Sequence, residues 1–98
     1  MMMFMGKEVR VFLKGQAKEQ YLELQGRDDK EAATLLASFE RVKGLLKENP
    51  QYGDPIRKVL IPKRFPGIKN LYRVELANYW RLLYTLEGTR IEILVFVR

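Results

Sequence analysis

The sequence contains no cysteine and no histidine among its 98 residues. The lack of cysteine excludes a disulfide framework, a thiolate nucleophile and a cysteine-ligated zinc site. The lack of histidine excludes a serine–histidine–aspartate triad, imidazole metal ligands and imidazole acid–base catalysis. Any catalysis by this chain therefore has to come from arginine, lysine, carboxylate, tyrosine or serine side chains.

Long apolar runs are also missing, although 47% of the residues are hydrophobic. No stretch reaches the roughly 20 apolar residues that a membrane-spanning helix needs. The N-terminus lacks the basic start and apolar core of a signal peptide. We therefore expect a cytoplasmic protein that does not bind a membrane. The length predicts a single domain over residues 1–98, with residues 1–6 as a frayed end.

The positive charge is concentrated in the second half of the chain. The net charge is +6. Residues 1–49 contain nine basic and eight acidic side chains, a net charge of +1. Residues 50–98 contain nine basic and four acidic side chains, a net charge of +5. Six basic residues occur between positions 57 and 73 with no acidic residue among them: Arg57, Lys58, Lys63, Arg64, Lys69 and Arg73. Such an excess attracts polyanions. Nucleic acid is the first candidate, an acidic protein the second, and a solubilising surface without a specific partner the third.

The first half of the chain predicts a strand followed by two helices. Val9, Val11 and Leu13 alternate with Glu8, Arg10 and Phe12, and this period of two indicates a strand from about Lys7 to Leu13. The following apolar residues recur at helical spacing, in a first helix ending near Gly26 and a second whose stripe is Ala32, Leu35, Leu36, Phe39, Val42 and Leu46.

The ends of the second helix also follow from the sequence. Asp28 is predicted to cap it, with Glu31 as the capping-box partner, and the helix has to end before Pro50. The short link at residues 26–28 favours an antiparallel helical hairpin.

The second half is strand-like. Extended segments are predicted at Ile56–Ile61, Leu71–Leu76, Trp80–Leu86 and Ile91–Val97, with tight connections at residues 77–79 and 87–88. The whole pattern predicts an α+β fold of order β-α-α-β-β-β, an antiparallel sheet with the helical hairpin packed on one face.

Three charged residues are predicted on the sheet face that the helices leave open. Because side chains alternate along a strand, Arg73, Glu75 and Arg81 are predicted on one face of the sheet, and Val74 and Leu82 on the other. Two neighbouring guanidinium groups suit a phosphate, which binds planar, bidentate donors well. The alternative is that Glu75 only pairs with one arginine across the strands.

Short motifs in this region resemble the RelE/ParE toxin superfamily. They are Gly53-Asp54-Pro55-Ile56-Arg57-Lys58, then Tyr72-Arg73-Val74-Glu75-Leu76, then Trp80-Arg81-Leu82-Leu83-Tyr84. The resemblance covers most of the chain and agrees with the predicted order of elements. It implies a toxin of a toxin–antitoxin pair. RelE-like members cleave mRNA on the ribosome without a metal or other cofactor, leaving a 2′,3′-cyclic phosphate; ParE-like members act on DNA gyrase.

The resemblance also implies roles for individual residues. Arg81 matches the arginine that stabilises charge on the transition state, and Arg73 matches a position that contacts phosphate. Glu75 stands where several RelE members carry a lysine thought to act as base, and a carboxylate can replace it in that role. The RNA backbone would be held by Arg57, Lys58, Lys63, Arg64 and Lys69. A cognate antitoxin would bind the toxin, in a hetero-oligomer.

One feature of the family has no counterpart here. Many members continue past the last strand with an arginine or histidine and then a tyrosine, whereas this sequence ends at Arg98. We therefore keep two expectations open: a RelE-like endoribonuclease, or a non-catalytic module of the same fold that binds an antitoxin or inhibits gyrase.

Overall fold

Helical spacing in the first half of the chain and strand alternation in the second half produce two helices and a five-strand sheet. The computed structural model describes residues 8–98. Its elements are β1 (Arg10–Leu13), α1 (Gly15–Gln25), α2 (Lys30–Glu48), β2 (Asp54–Pro55), β3 (Tyr72–Glu75), β4 (Arg81–Glu87) and β5 (Arg90–Val97). The α+β class is confirmed, with one more strand than expected. The predicted frayed end at residues 1–6 and the predicted start of the first strand at Lys7 lie outside the described residues.

The five strands form one sheet in the order β1-β5-β4-β3-β2. The sheet is mixed rather than wholly antiparallel, which corrects the prediction. β1 pairs parallel to β5, with Arg10 opposite Arg90 and Leu13 opposite Ile93, while the other pairs are antiparallel. Parallel neighbours need a long connection. Here it comprises both helices and three strands, so β1 can lie beside the last strand.

The cap of α2 differs by one residue from the prediction. Asp29, not Asp28, precedes the helix, and its carboxylate accepts a hydrogen bond from the Ala32 N–H at 3.3 Å. Arg27 donates to both oxygens of the same carboxylate, at 2.8 and 2.7 Å, which fixes it beside the helix N-terminus. Glu31 forms ion pairs with Arg27 and Arg98 instead of completing a capping box. The helix ends at Glu48, before Pro50, as predicted.

The main core lies between the helices and one face of the sheet. The predicted stripe of α2 is buried there together with the alternate residues of β3 and β4: Leu35, Phe39, Val42, Leu46, Val74, Leu82 and Tyr84. Phe39 makes an edge-to-face contact with Phe96, with ring centroids 5.3 Å apart. Neither helix in residues 8–98 is long and apolar enough to cross a membrane.

A β-bulge in β5 changes which residues face this core. Leu83 pairs with Val95 but Tyr84 pairs with Ile93, so Leu94 is an extra residue. Because side chains alternate, the extra residue turns Val95 away from the helices and brings Phe96 toward them. An uninterrupted alternation from Ile91 and Ile93 would have put Val95 in the main core, so the strand predicted at Ile91–Val97 is present but changes face at the bulge.

The opposite face of the sheet has a small apolar cluster of its own. Leu71, Leu83 and Val95 are buried there, under partly buried residues that include Ile56, Ile61 and Phe65. The prediction of an extended segment over Ile56–Ile61 is wrong, because the chain instead forms a 3₁₀ turn at Lys58–Leu60. The turn brings both isoleucines of the segment against the sheet. β2 has two residues, Asp54 and Pro55, and the N–H of Ile56 still donates to the Leu71 carbonyl at 2.8 Å before the chain leaves the sheet.

Candidate nucleic-acid interface

Two adjacent strands place three of the predicted site residues on one face of the sheet. Antiparallel pairing sets Glu75 directly opposite Arg81. Arg73 is two residues before Glu75 on β3 and so projects from the same face. That face is the one turned away from the helices, since Val74 and Leu82 point into the main core.

The hairpin that joins these strands is strained at its tip. Asn78 and Tyr79 both have positive φ, 58° and 65°. The N–H of Trp80 donates to the carbonyl of Ala77 at 3.1 Å, which completes a type I′ turn. Such turns favour asparagine and then glycine, whereas the second central residue here is a tyrosine that is 83% exposed. The backbone therefore carries a conformational cost that side-chain burial does not offset.

The face around Arg81 is less open than the sequence predicts. Arg81 is half-buried, because the apolar cluster of Leu71, Leu83 and Val95 occupies the same face. Its Nε atom is buried and finds no hydrogen-bond partner among residues 8–98. A buried N–H without an acceptor costs about 1–3 kcal/mol. An anionic ligand at the guanidinium group would supply acceptors at this position.

The cross-strand ion pair that was the alternative to a phosphate site is not formed. Within the described part of the chain, every ion pair lies elsewhere, and Glu75 joins neither Arg73 nor Arg81. Neither arginine is therefore held by a carboxylate in an ion pair within residues 8–98. The Glu75 carboxylate is exposed to solvent.

The edge of the sheet beside β3 carries a groove of about 380 Å³, here called the edge groove. It exists because β2 pairs only with Tyr72 and Arg73, which leaves the second half of β3 without a strand partner on that side. Its lining residues come from α2, the following turn, β2 and β3: Arg41, Tyr52, Gly53, Asp54, Arg73, Val74 and Glu75. Two of the predicted site residues, Arg73 and Glu75, therefore share a cavity, while Arg81 does not line it.

A buried tyrosine hydroxyl fixes the rim of the edge groove. The Tyr84 hydroxyl donates to the carbonyl of Pro50 at 2.7 Å and accepts from the N–H of Gly53 at 3.0 Å. Only glycine fits at position 53, because a Cβ would lie 2.9 Å from both the Tyr84 ring and the Val74 side chain. The turn that carries Tyr52 is thereby held against the sheet.

Burial raises the pKa of the Tyr84 hydroxyl to about 12, against a partial lowering of that pKa by the Gly53 N–H. The hydroxyl therefore stays protonated at neutral pH and can donate to Pro50. Its ring stacks on Tyr72, with centroids 5.0 Å apart. Both tyrosines belong to the core side of the sheet, as the alternation predicts.

The remaining predicted site residues lie in the segment 56–69, here called the basic loop. Its five basic side chains are all exposed and form no ion pair within residues 8–98: Arg57, Lys58, Lys63, Arg64 and Lys69. Lys58, Lys63 and Lys69 line one shallow groove of about 480 Å³. Arg57 and Arg64 do not line it; the Arg64 guanidinium group lies 5.0 Å from the centre of the Phe65 ring.

The side chain of Asn70 anchors the end of the basic loop. Its Nδ2 donates to the Leu86 carbonyl at 2.9 Å, and its Oδ1 accepts from the Leu86 N–H at 2.8 Å. The same oxygen accepts from the Thr85 hydroxyl at 2.9 Å. These bonds extend the contact between β3 and β4 by one residue through the Asn70 side chain, so the basic loop ends at a fixed point on the sheet.

Sequence reasoning did not single out Arg41 or Tyr52 as site residues. Arg41 lies on the polar side of a helix, and Tyr52 lies in a turn, so neither position belongs to a strand pattern. The one available signal for Tyr52 was an aromatic residue beside Gly53-Asp54-Pro55, outside any apolar stripe. A search of protein-family models, curated proteins and solved structures found no match to this chain.

Proposed function

We propose that this protein is a toxin of the RelE/ParE superfamily, a metal-independent endoribonuclease that cleaves mRNA on the ribosome in the cytoplasm. A cognate antitoxin would neutralise it in a hetero-oligomeric complex. The observation that carries the proposal is the β3–β4 pairing, which sets Glu75 against Arg81 with Arg73 on the same face. The unpaired positive charge of the basic loop next to this hairpin supports it.

The chemistry needs only groups that these residues supply. The RNA 2′-hydroxyl attacks the adjacent phosphate and loses its proton to the Glu75 carboxylate. The bond to the 5′-oxygen breaks, and that oxygen takes a proton from water. The products are a 2′,3′-cyclic phosphate and a 5′-hydroxyl end. Arg81 and Arg73 stabilise the negative charge that gathers on the phosphorus oxygens, which is usually the largest catalytic contribution.

The basic loop has a separate role in this proposal. Arg57, Lys58, Lys63, Arg64 and Lys69 contact the RNA backbone, which positions the strand without reading its sequence. The convergence of three of these lysines on one groove supports a continuous path for the backbone.

The test is cleavage of a defined message on programmed ribosomes, with mapping of the cleaved ends and of the cyclic phosphate. Arg81→Ala should slow cleavage about 10²–10³-fold, as loss of one charge-stabilising contact does. Arg10→Ala is the matched control, because Arg10 lies on β1 at the other edge of the sheet. Thermal unfolding of each variant checks that the fold is kept.

Two results would contradict the proposal. If the wild-type protein leaves the message intact, the catalytic function fails. If Arg81→Ala cleaves as fast as the wild type, Arg81 is structural and the site is assigned wrongly.

A second candidate is a non-catalytic module of the same fold that binds an antitoxin or inhibits DNA gyrase. Val59 and Leu60 favour it, because they are 80% and 60% exposed within the basic loop. An apolar pair within a positive surface suits an acidic protein partner better than it suits RNA. Inhibition of gyrase supercoiling by a protein that does not cleave ribosome-bound mRNA would establish this candidate.

A further inference from the structure

We propose that the edge groove binds one nucleotide of single-stranded RNA, with the base stacked on the Tyr52 ring and Arg41 and Arg73 at the flanking phosphates. This inference rests on the proposed function for its choice of RNA as the ligand. It adds two residues, Arg41 and Tyr52, to which neither the sequence patterns nor the cleavage chemistry assign a role.

The size and lining of the groove fit such a ligand. Its volume of about 380 Å³ falls in the range of small-molecule sites, roughly 300–1,000 Å³. Arg41 comes from α2 and Arg73 from β3, so the two guanidinium groups approach from different elements. Guanidinium groups bind phosphate through paired donors. Phosphates on either side of one nucleotide would thus each meet an arginine.

The edge groove carries little net charge, so binding of RNA there needs a contribution that does not depend on charge. Asp54 and Glu75 also line it, so the two positive charges face two negative ones. A balanced site attracts a polyanion weakly, unlike the basic loop, where carboxylates are missing. Stacking of a base on an aromatic ring does not depend on this field. Tyr52 is the aromatic residue of the lining, and 45% of its surface is exposed.

Tyr52 is also held in place before any ligand arrives. Its N–H donates to the Asn49 carbonyl at 2.9 Å. On either side of it, the Pro50 carbonyl and the Gly53 N–H are both bound by the Tyr84 hydroxyl. An exposed aromatic ring on a fixed backbone loses little conformational freedom on binding, because only its two side-chain torsions have to be fixed.

The experiment measures binding separately from cleavage. A short fluorescent RNA with 2′-O-methyl groups cannot be cut by the proposed mechanism, and its affinity is measured by anisotropy over a range of salt concentrations. Tyr52→Ala should raise the Kd about tenfold to a hundredfold, with an unchanged dependence on salt. Tyr52→Phe keeps the ring and should bind within about twofold of the wild type. Arg41→Ala should weaken binding and reduce the salt slope by about one.

Tyr79→Ala is the matched control, because it removes another exposed tyrosine that does not line the groove. It should leave the Kd unchanged. The inference is overturned if the wild type does not bind the RNA, if Tyr52→Ala binds as well as the wild type, or if Tyr52→Phe binds as weakly as Tyr52→Ala. The proposed function is judged by cleavage on ribosomes, so the two can fail independently.

Discussion

The Tyr84 hydroxyl joins the core to the rim of the edge groove by two hydrogen bonds, and Tyr84→Phe removes it while keeping the ring. The ring fills the core with no exposed surface, and phenylalanine fills the same space. The change therefore leaves packing intact and removes two hydrogen bonds. Their partners, the Pro50 carbonyl and the Gly53 N–H, belong to buried residues.

The expected cost follows from those two partners. A buried donor or acceptor left without a partner costs about 1–3 kcal/mol. For two groups, with some relaxation of the turn, we expect Tyr84→Phe to lower the free energy of unfolding by about 2–4 kcal/mol. A domain of this size has about 5–15 kcal/mol in total. The variant should therefore fold at room temperature with a clearly lower midpoint.

Equilibrium unfolding in urea measures this difference, with the dependence on urea unchanged between the two proteins. Tyr72→Phe is the control, because that ring stacks on Tyr84 but its hydroxyl has no hydrogen-bond partner within residues 8–98. It should change stability by less than about 0.5 kcal/mol. Equal stabilities for Tyr84→Phe and the wild type would refute the reasoning that this hydroxyl holds the turn.

The same pair of proteins has an expected pH dependence. The pKa of Tyr84 is about 12 in the folded chain, against 10.0 for a free tyrosine. The folded state therefore keeps a proton that the unfolded state loses between pH 10 and 12, so the wild type loses stability as the pH rises through this window. The Tyr84→Phe variant has no hydroxyl at this position, so its stability does not include this pH-dependent contribution. The difference in stability between the two proteins should therefore shrink above pH 10; a constant difference up to pH 12 would contradict the assignment.

Two further changes test the hairpin tip and the basic loop. Tyr79→Gly should stabilise the fold by about 0.5–1 kcal/mol in the same urea assay, because glycine adopts the positive φ of 65° without strain; a loss of stability would show that the ring contributes packing. The double reversal Lys63→Glu with Arg64→Glu should weaken RNA binding and reduce its salt slope by about one to two. The control is the double reversal Lys18→Glu with Lys47→Glu, at positions on the helices, which changes the net charge by the same amount. This control should weaken RNA binding much less. Equal losses of RNA affinity would mean that only the net charge of the protein matters.

The sequence alone predicted the features that depend on local periodicity. The helical stripe from Ala32 to Leu46 and the alternation in β3 and β4 identified the main core. The stop before Pro50 and the connection at residues 77–79 were also correct, because backbone geometry restricts those positions locally. Because this short connection makes β3 and β4 neighbours, the sequence also predicted Glu75 near one of the two arginines, but its position opposite Arg81 came only from the structure.

The tertiary structure decided what depends on residues far apart in the chain. The parallel pairing of β1 with β5 joins the two ends of the described sequence, and no local pattern encodes it. The bulge at Leu94 is defined by the pairing of β5 with β4, so β5 alone does not reveal it. The apolar cluster around Leu83 forms because the basic loop packs over the sheet. Arg41 and Tyr52 share the edge groove with Arg73 because β2 has only two residues and leaves the rest of β3 uncovered at that edge. Local patterns fix which face a side chain occupies, but packing between distant segments fixes which faces meet.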